Sequence, residues 1–316
     1  MPLSDAYLAY PRRRHGQDID RYGWRLSIDR PKIAWPGGAA VAAMIVVPLE
    51  FFPLNPTGKP FRHPGAMVTP YPDLRHYTTR DYGNRVGVYR LLKALAGAGL
   101  TATVAVNARV LERYPGLVAD CAADGHEIAA HGYDTDSIAW GGGDAEAERA
   151  LVDRTRAVFA AHGYAPRTWL SPARQESFAT PDLIRAAGFD VCLDWESDGV
   201  PLPLQTEAGA LAAVPLLNEL DDRLILSDKR HDETVWARQI LEAKDLLASE
   251  HDRFGGQVLG FTLTPYLAGL PFRMQAVRAI LDGLKADGRV WSAGASAIAD
   301  ASGVWHDLGA GAGAGA

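Results

Sequence analysis

The chain has 316 residues, 47% of them apolar, with 32 basic and 38 acidic side chains and a net charge of −6. That balance supplies no positive field, so nucleic acid and anionic membrane surfaces are excluded as partners, and a small-molecule substrate is expected. No stretch reaches the roughly 18 uncharged apolar residues of a membrane span. The two cysteines, Cys121 and Cys192, lie far apart without Cys-x-x-Cys spacing and read as reduced, buried thiols of a cytoplasmic protein. The start of the chain lacks the basic and apolar regions of an export signal.

Residues 1–38 are charged, proline-rich and aperiodic, and read as an irregular N-terminal arm. The near-continuous apolar run Ala39 to Leu49 is a strand covered on both faces, and it ends in Glu50. From Phe51 to about Tyr82 prolines and aromatics alternate without period, which predicts a long loop serving as a pocket cover or a contact between subunits of a homo-oligomer.

Helical spacing from Asp81 to Leu95 is followed by a strand over Leu100 to Val106, then by helical pieces through Leu111 and from Pro115. Gly125-His126-Glu127-Ile128-Ala129-Ala130-His131-Gly132 is a short buried strand that delivers His131 to its end. Ala145 to Ala161 is a helix, Arg167 to Leu170 a strand whose rim loop carries Arg174, and Thr180 opens another helix. Further strands are predicted at Phe189 to Leu193, Leu211 to Pro215, Gln257 to Leu263 and Arg289 to Trp291. Helices are expected over Asp232 to Glu250, from Pro271, and over Ser296 to Ala301.

Seven or eight strands alternating with helices define an α/β chain, a deformed parallel (β/α) barrel over residues 39–302. Residues 303–316 end in a Gly-Ala tail expected to be disordered. In such barrels chemistry sits at the carboxyl ends of the strands. Those ends offer Glu50, His131 with Asp134 and Asp136, Arg174, Asp194 with Trp195 and Asp198, and Thr264 with Tyr266.

Carboxylates around one imidazole suit hydrolysis, with a base activating water and a cation steadying the oxyanion. Glu50 is expected to be that base, its pKa raised by desolvation, and His131 the donor to the oxyanion or amine. Arg174, Asp194, Trp195, Asp198, Thr264 and Tyr266 are expected to bind substrate, with Arg174 gripping a carboxylate or carbonyl. No Gly-x-Ser-x-Gly elbow, dinucleotide fingerprint or P-loop is present.

Asp81-Tyr82-Gly83-Asn84-Arg85-Val86-Gly87-Val88-Tyr89-Arg90, Gly125 to Tyr133, Trp169-Leu170-Ser171-Pro172, Val214-Pro215 through Asp222, and Thr264-Pro265-Tyr266 with Gly269, Pro271 and Arg273 together resemble the polysaccharide deacetylase superfamily, and within it the allantoinase-like and cyclic-imide-hydrolase-like subgroup. The resemblance implies hydrolysis of a C–N bond in an amide, cyclic imide or ureide. It also implies, in metal-dependent members, a paired acid after the first strand, a His-Gly-x-x-His ligand pair and a late His-Pro.

This sequence has the single Glu50 for the paired acid, Thr135 for the second histidine and Thr264 for the late one. The implied metal site is therefore degenerate, with no metal or a weakly bound zinc held by Glu50, His131 and Asp134 or Asp136. Two other functions fit the same residues: a metal-dependent carbohydrate N-deacetylase, and an inactive barrel used for binding or assembly.

Overall fold

Val41–Leu49 (β1) is buried at every position, and that double covering makes it the central strand. The computed structural model describes residues 21–23, 25–57 and 70–305. The Gly-Ala tail expectation, most of the N-terminal arm and the middle of the expected cover loop fall outside those residues.

The other strands are Thr103–Val106 (β2), Glu127–Ala130 (β3), Thr168–Trp169 (β4), Val191–Cys192 (β5), Leu202–Thr206 (β6), Gly209–Ala213 (β7), Gln257–Thr262 (β8) and Val290–Ser292 (β9). They form one curled sheet in the order β6-β7-β5-β4-β3-β2-β1-β8, with β9 beside β1. Every pairing is parallel except the β6–β7 hairpin.

The expected deformed (β/α) barrel is thus what forms, with β6 as an addition: Leu202-Pro203-Leu204-Gln205 has no apolar run to announce a strand. β1 carries β8 along one edge and both β9 and β2 along the other, because Val41 pairs with Gln257 and Val290, and Val46 with Thr262 and Thr103. The curl is completed by main-chain bonds between β8 and the segments flanking the hairpin, Val258 N to Gly199 O (2.8 Å) and Leu217 N to Gly260 O (3.2 Å).

Strand alternation sorts the side chains into two apolar layers. Ile45, Val47, Leu49, Val106, Ala130, Trp169 and Cys192 face the helices, whereas Ala42, Met44, Val46, Ala105, Ala129, Leu170, Leu193, Val214 and Val258 fill the barrel. The barrel's amino end is stopped by the last helix, Ala295–Ser302. Glu127 accepts from Thr103 Oγ1 (2.9 Å), Thr168 Oγ1 (2.6 Å) and Ser296 N (3.3 Å), and so clamps that helix under β2, β3 and β4. No helix among the described residues is long and apolar enough to cross a membrane.

Leu74–Tyr82 (α1), Gly83–Gly87 and Val88–Ala98 (α2) run as one helical rod with a wide turn in its middle. α1 lies inside the stretch expected to be loop, and Asp73 caps it by accepting from His76 N at 3.0 Å.

Candidate active site

Glu50, Asn107 and His131 follow β1, β2 and β3 on the parity of Met44, Ala105 and Ala129, so all three enter the barrel mouth. The Glu50 carboxylate and the His131 ring meet there, with Oε1 and Nε2 3.7 Å apart and side chains 4% and 1% exposed. Asn107 ties their backbones together: its N donates to Leu49 O (3.0 Å), its Oδ1 accepts from Phe51 N (2.7 Å), and its Nδ2 donates to His131 O.

The His131 ring is fixed from behind by Leu170 O, 2.8 Å from Nδ1. A carbonyl can only accept, so Nδ1 bears a proton and the ring is held with Nε2 toward Glu50. Among the described residues, Nε2 of His131, Oε2 of Glu50 and the Tyr266 hydroxyl are buried with no hydrogen-bond partner. Buried polar atoms left in this way require water or a ligand. A cleft lined by Glu50, Phe51, Phe52, Tyr77, Arg80 and Asn84 adjoins Glu50 with about 10 Å³ of room, enough for about one water.

Among the described residues, the nearest charged partner of the Glu50 carboxylate is a residue the sequence reading missed. Arg223 Nη1 donates to Glu50 Oε1 at 3.0 Å, and both side chains are largely buried. Burial would push the Glu50 pKa up, but Arg223, then His131 and Arg80, outweigh it and hold the carboxyl down to about 2. The expectation of a base with a raised pKa is corrected accordingly: Glu50 is a fixed anion.

Arg223 is seated by Asp221, which accepts from Arg223 N at 2.8 Å and lies 3.7 Å from its Nε. The neighbouring Asp222 is fully buried and receives Thr264 N (2.6 Å) and Thr264 Oγ1 (2.7 Å), while Tyr266 stands under Arg80, whose guanidinium lies 4.6 Å from the ring centre. Thr264 is thus tied to this centre through Asp222, and Tyr266 through Arg80, which lines the cleft with Glu50; burial and the Glu50 charge both raise the Tyr266 phenol.

The remaining candidates are drawn elsewhere. Asp134 pairs with Arg109 Nη1 (2.9 Å) and accepts from Asp136 N and Ser137 N, and Asp136 receives Thr57 N (2.9 Å). Both carboxylates therefore hold the loop after β3 instead of completing a ligand set. Thr135 bonds to Phe51 O through N (3.2 Å) and Oγ1 (2.9 Å).

Arg174 spends its fork on Leu216 O (2.8 Å) and Asp221 Oδ2 (3.1 Å), and its left-handed φ of 53° fits a loop clamp better than a mobile substrate arm. Asp194 follows Cys192 on the helix-facing side of β5 and accepts from Ser171 N (2.9 Å). Trp195 donates to Glu176 (2.9 Å). Asp198 pairs with Arg30 and Gly199 N beside the amino end of β8, whereas Thr264 follows its carboxyl end.

Glu50 and His131 supply two ligand atoms where a catalytic zinc needs three, so the residues present do not fit the metal the resemblance implies. Among the described residues, three ligand-type groups come within 4.8 Å only at Glu176, Cys192 and Asp194, outside the barrel mouth. Burial and the adjacent Asp194 raise the Glu176 pKa well above its ordinary value.

Burial and the adjacent Asp221 push Asp222 up from 3.8 to about 7, with Thr264 and Arg223 opposing. For a raised carboxyl the unfolded chain ionises first, so this group makes stability fall as pH rises from about 4 to 7, then level off. Glu50 acts oppositely: its contribution is present above 4.5 and is lost as pH falls toward 2. Denaturant unfolding of wild type and Asp222→Asn at pH 5 and pH 8 checks the first effect, and the variant is expected to lose less stability between the two. An equal loss in both would show that Asp222 is not the titrating group.

A curled parallel sheet with its polar centre at the strand carboxyl ends defines a deformed (β/α) barrel, with that centre where such barrels carry their chemistry. Residues 71–192 match the polysaccharide deacetylase family model. Three solved structures share the fold: an allantoinase named Puue (22% identity, 89% of this chain and 98% of that one, TM-score 0.78); a protein of Pseudomonas aeruginosa PAO1 described as a polysaccharide deacetylase (23%, 89% and 97%, 0.76); and another so described from Mycobacterium smegmatis (24%, 88% and 95%, 0.71). Among curated proteins, no sequence matches the chain. Residues 71–192 therefore carry the likeness to the polysaccharide deacetylase family, and the chain as a whole shares the fold of these structures.

Proposed function

We propose that the protein hydrolyses a C–N bond in a small amide, cyclic imide or ureide, with water held between Glu50 and His131. The observation that carries this reading is the buried, unpartnered trio of Glu50 Oε2, His131 Nε2 and Tyr266 hydroxyl around one mouth. Likeness of fold to an allantoinase and to proteins described as deacetylases is compatible with it.

With His131 in its neutral form, Nε2 and the unpartnered Glu50 Oε2 can each receive one hydrogen of a bridging water, which leaves the oxygen lone pairs free to attack. Glu50, held near 2, polarises that water and fixes its direction. The His131 Nε2 lone pair takes the proton as the O–C bond forms, because imidazole is the more basic acceptor. The Tyr266 hydroxyl keeps its own proton and donates to the developing oxyanion. Collapse breaks the C–N bond, and imidazolium returns the proton to the leaving nitrogen. A ring-sized substrate has to part the walls of the small cleft beside Glu50 to enter.

The test is turnover of allantoin, dihydropyrimidines, hydantoins, succinimide and N-acetylated amino sugars, followed by Tyr266→Phe on any substrate found. Loss of one oxyanion donor is expected to lower kcat by roughly 10² with little change in KM. No turnover of any compound, with or without zinc, would remove the reading and favour a barrel used for binding or assembly. Turnover of amino sugars only with added zinc would favour a metal-dependent N-deacetylase.

A further inference from the structure

We infer that Arg223 is the built-in cation of this centre: it supplies at Glu50 the positive charge a divalent ion would supply in a three-ligand site, and it closes that position to metal. The electrostatic half of this inference stands whatever the substrate. The catalytic half, that the same guanidinium steadies the oxyanion, rests on the hydrolase reading.

Three observations converge. Arg223 Nη1 stands 3.0 Å from Glu50 Oε1, with 14% and 4% of the two side chains exposed, so the pair neutralises itself out of bulk water. The guanidinium is held by design of the loop: Asp221 accepts from the Arg223 backbone and faces its Nε, and Asp221 is itself fixed by Arg174 at 3.1 Å. Finally, Thr135, at the position where the resemblance places a second histidine, bonds to Phe51 O, and Asp134 and Asp136 are bound to Arg109 and Thr57.

A dication between Glu50 and His131 would sit a few ångströms from a buried guanidinium with too few ligands to repay that repulsion. Among the described residues, Glu50 Oε1 is the only acceptor hydrogen-bonded by the Arg223 side chain. Donors of its planar fork therefore remain for an oxygen that gains charge in the mouth.

Calorimetric titration with Zn²⁺ of wild type, Thr135→His, Arg223→Met/Thr135→His and Arg223→Lys/Thr135→His tests the electrostatic half. Binding is expected only where the charge is removed and the ligand restored, in Arg223→Met/Thr135→His, at least about a hundredfold tighter than in the others. One equivalent bound tightly by wild type and lost in His131→Ala would overturn the inference. So would equal affinity in Thr135→His and Arg223→Met/Thr135→His, and so would a folded Arg223→Met/Thr135→His that binds no tighter than wild type.

If Arg223→Met does not fold by circular dichroism, Arg223→Gln takes its place with the same expectations. For the catalytic half, Arg223→Lys is expected to keep kcat within about tenfold while Arg223→Met loses a hundredfold or more. Normal turnover by Arg223→Met would remove that half alone, whereas failure of every substrate would count against the hydrolase reading and leave the metal titration unaffected.

Discussion

Glu50→Gln is expected to lower kcat/KM by about a thousandfold on whichever substrate the protein turns over. The amide keeps the size of the side chain but cannot polarise water as an anion, and its NH₂ would present a donor to one neighbour that now meets an acceptor. Stability should also fall, by about 3 kcal/mol, because the largely buried Arg223 loses its closest counter-charge and keeps only Asp221.

The double variant Glu50→Gln/Arg223→Met should regain much of that stability without regaining activity. Recovery of stability and rate together would count against catalytic roles for both Glu50 and Arg223. Unfolding monitored by circular dichroism and initial rates read the two effects. A Glu50→Gln protein with near-wild-type rates would end the proposed mechanism.

Gly87→Ala is expected to destabilise the fold by about 3 kcal/mol, although alanine is the better helix former by roughly 0.5–1 kcal/mol. A Cβ at Gly87 would lie 2.0 Å from Pro265 O and 2.9 Å from Pro265 C, both main-chain atoms that no side-chain rotation can clear. Gly269 meets Gly87 from the other side, with its own Cβ position 2.5 Å from Gly87 Cα. The rod from α1 to α2 is thus pressed backbone to backbone against the loop that carries Thr264 and Tyr266.

Gly97→Ala in α2 is the control, because nothing lies within 4 Å of its Cβ position. The same replacement should there raise the melting temperature. Opposite signs along one rod would locate the cause in that close approach, and equal signs would refute it.

The barrel was legible in the sequence because its strands are covered on both faces and therefore read as uninterrupted apolar runs, as in Val41–Leu49. Glu50 and His131 were legible for the same reason: each is the first polar side chain after such a run. Arg223 was not, because its meaning depends on a partner 173 residues away, brought near only when the loop after β7 crosses the mouth. The charged triplet Asp221-Asp222-Arg223 so soon after an apolar strand was the available hint.

Asp194 was misjudged where a signal did exist. In Val191-Cys192-Leu193-Asp194 an inward Leu193 forces Asp194 outward, and strand parity alone separates it from Glu50. Asp198 offers no comparable signal, because its position is set by Arg30 of the N-terminal arm.

The central strand is also the one that waits longest. β1 is translated well before its edge partners β8 and β9 and the stopper helix Ala295–Ser302, which all follow residue 256. Until they emerge, the apolar lining of the barrel has no lid beneath it and β1 has one open flank. Closure of the barrel therefore waits on translation of β8, β9 and that helix, a pairing of segments far apart in the sequence.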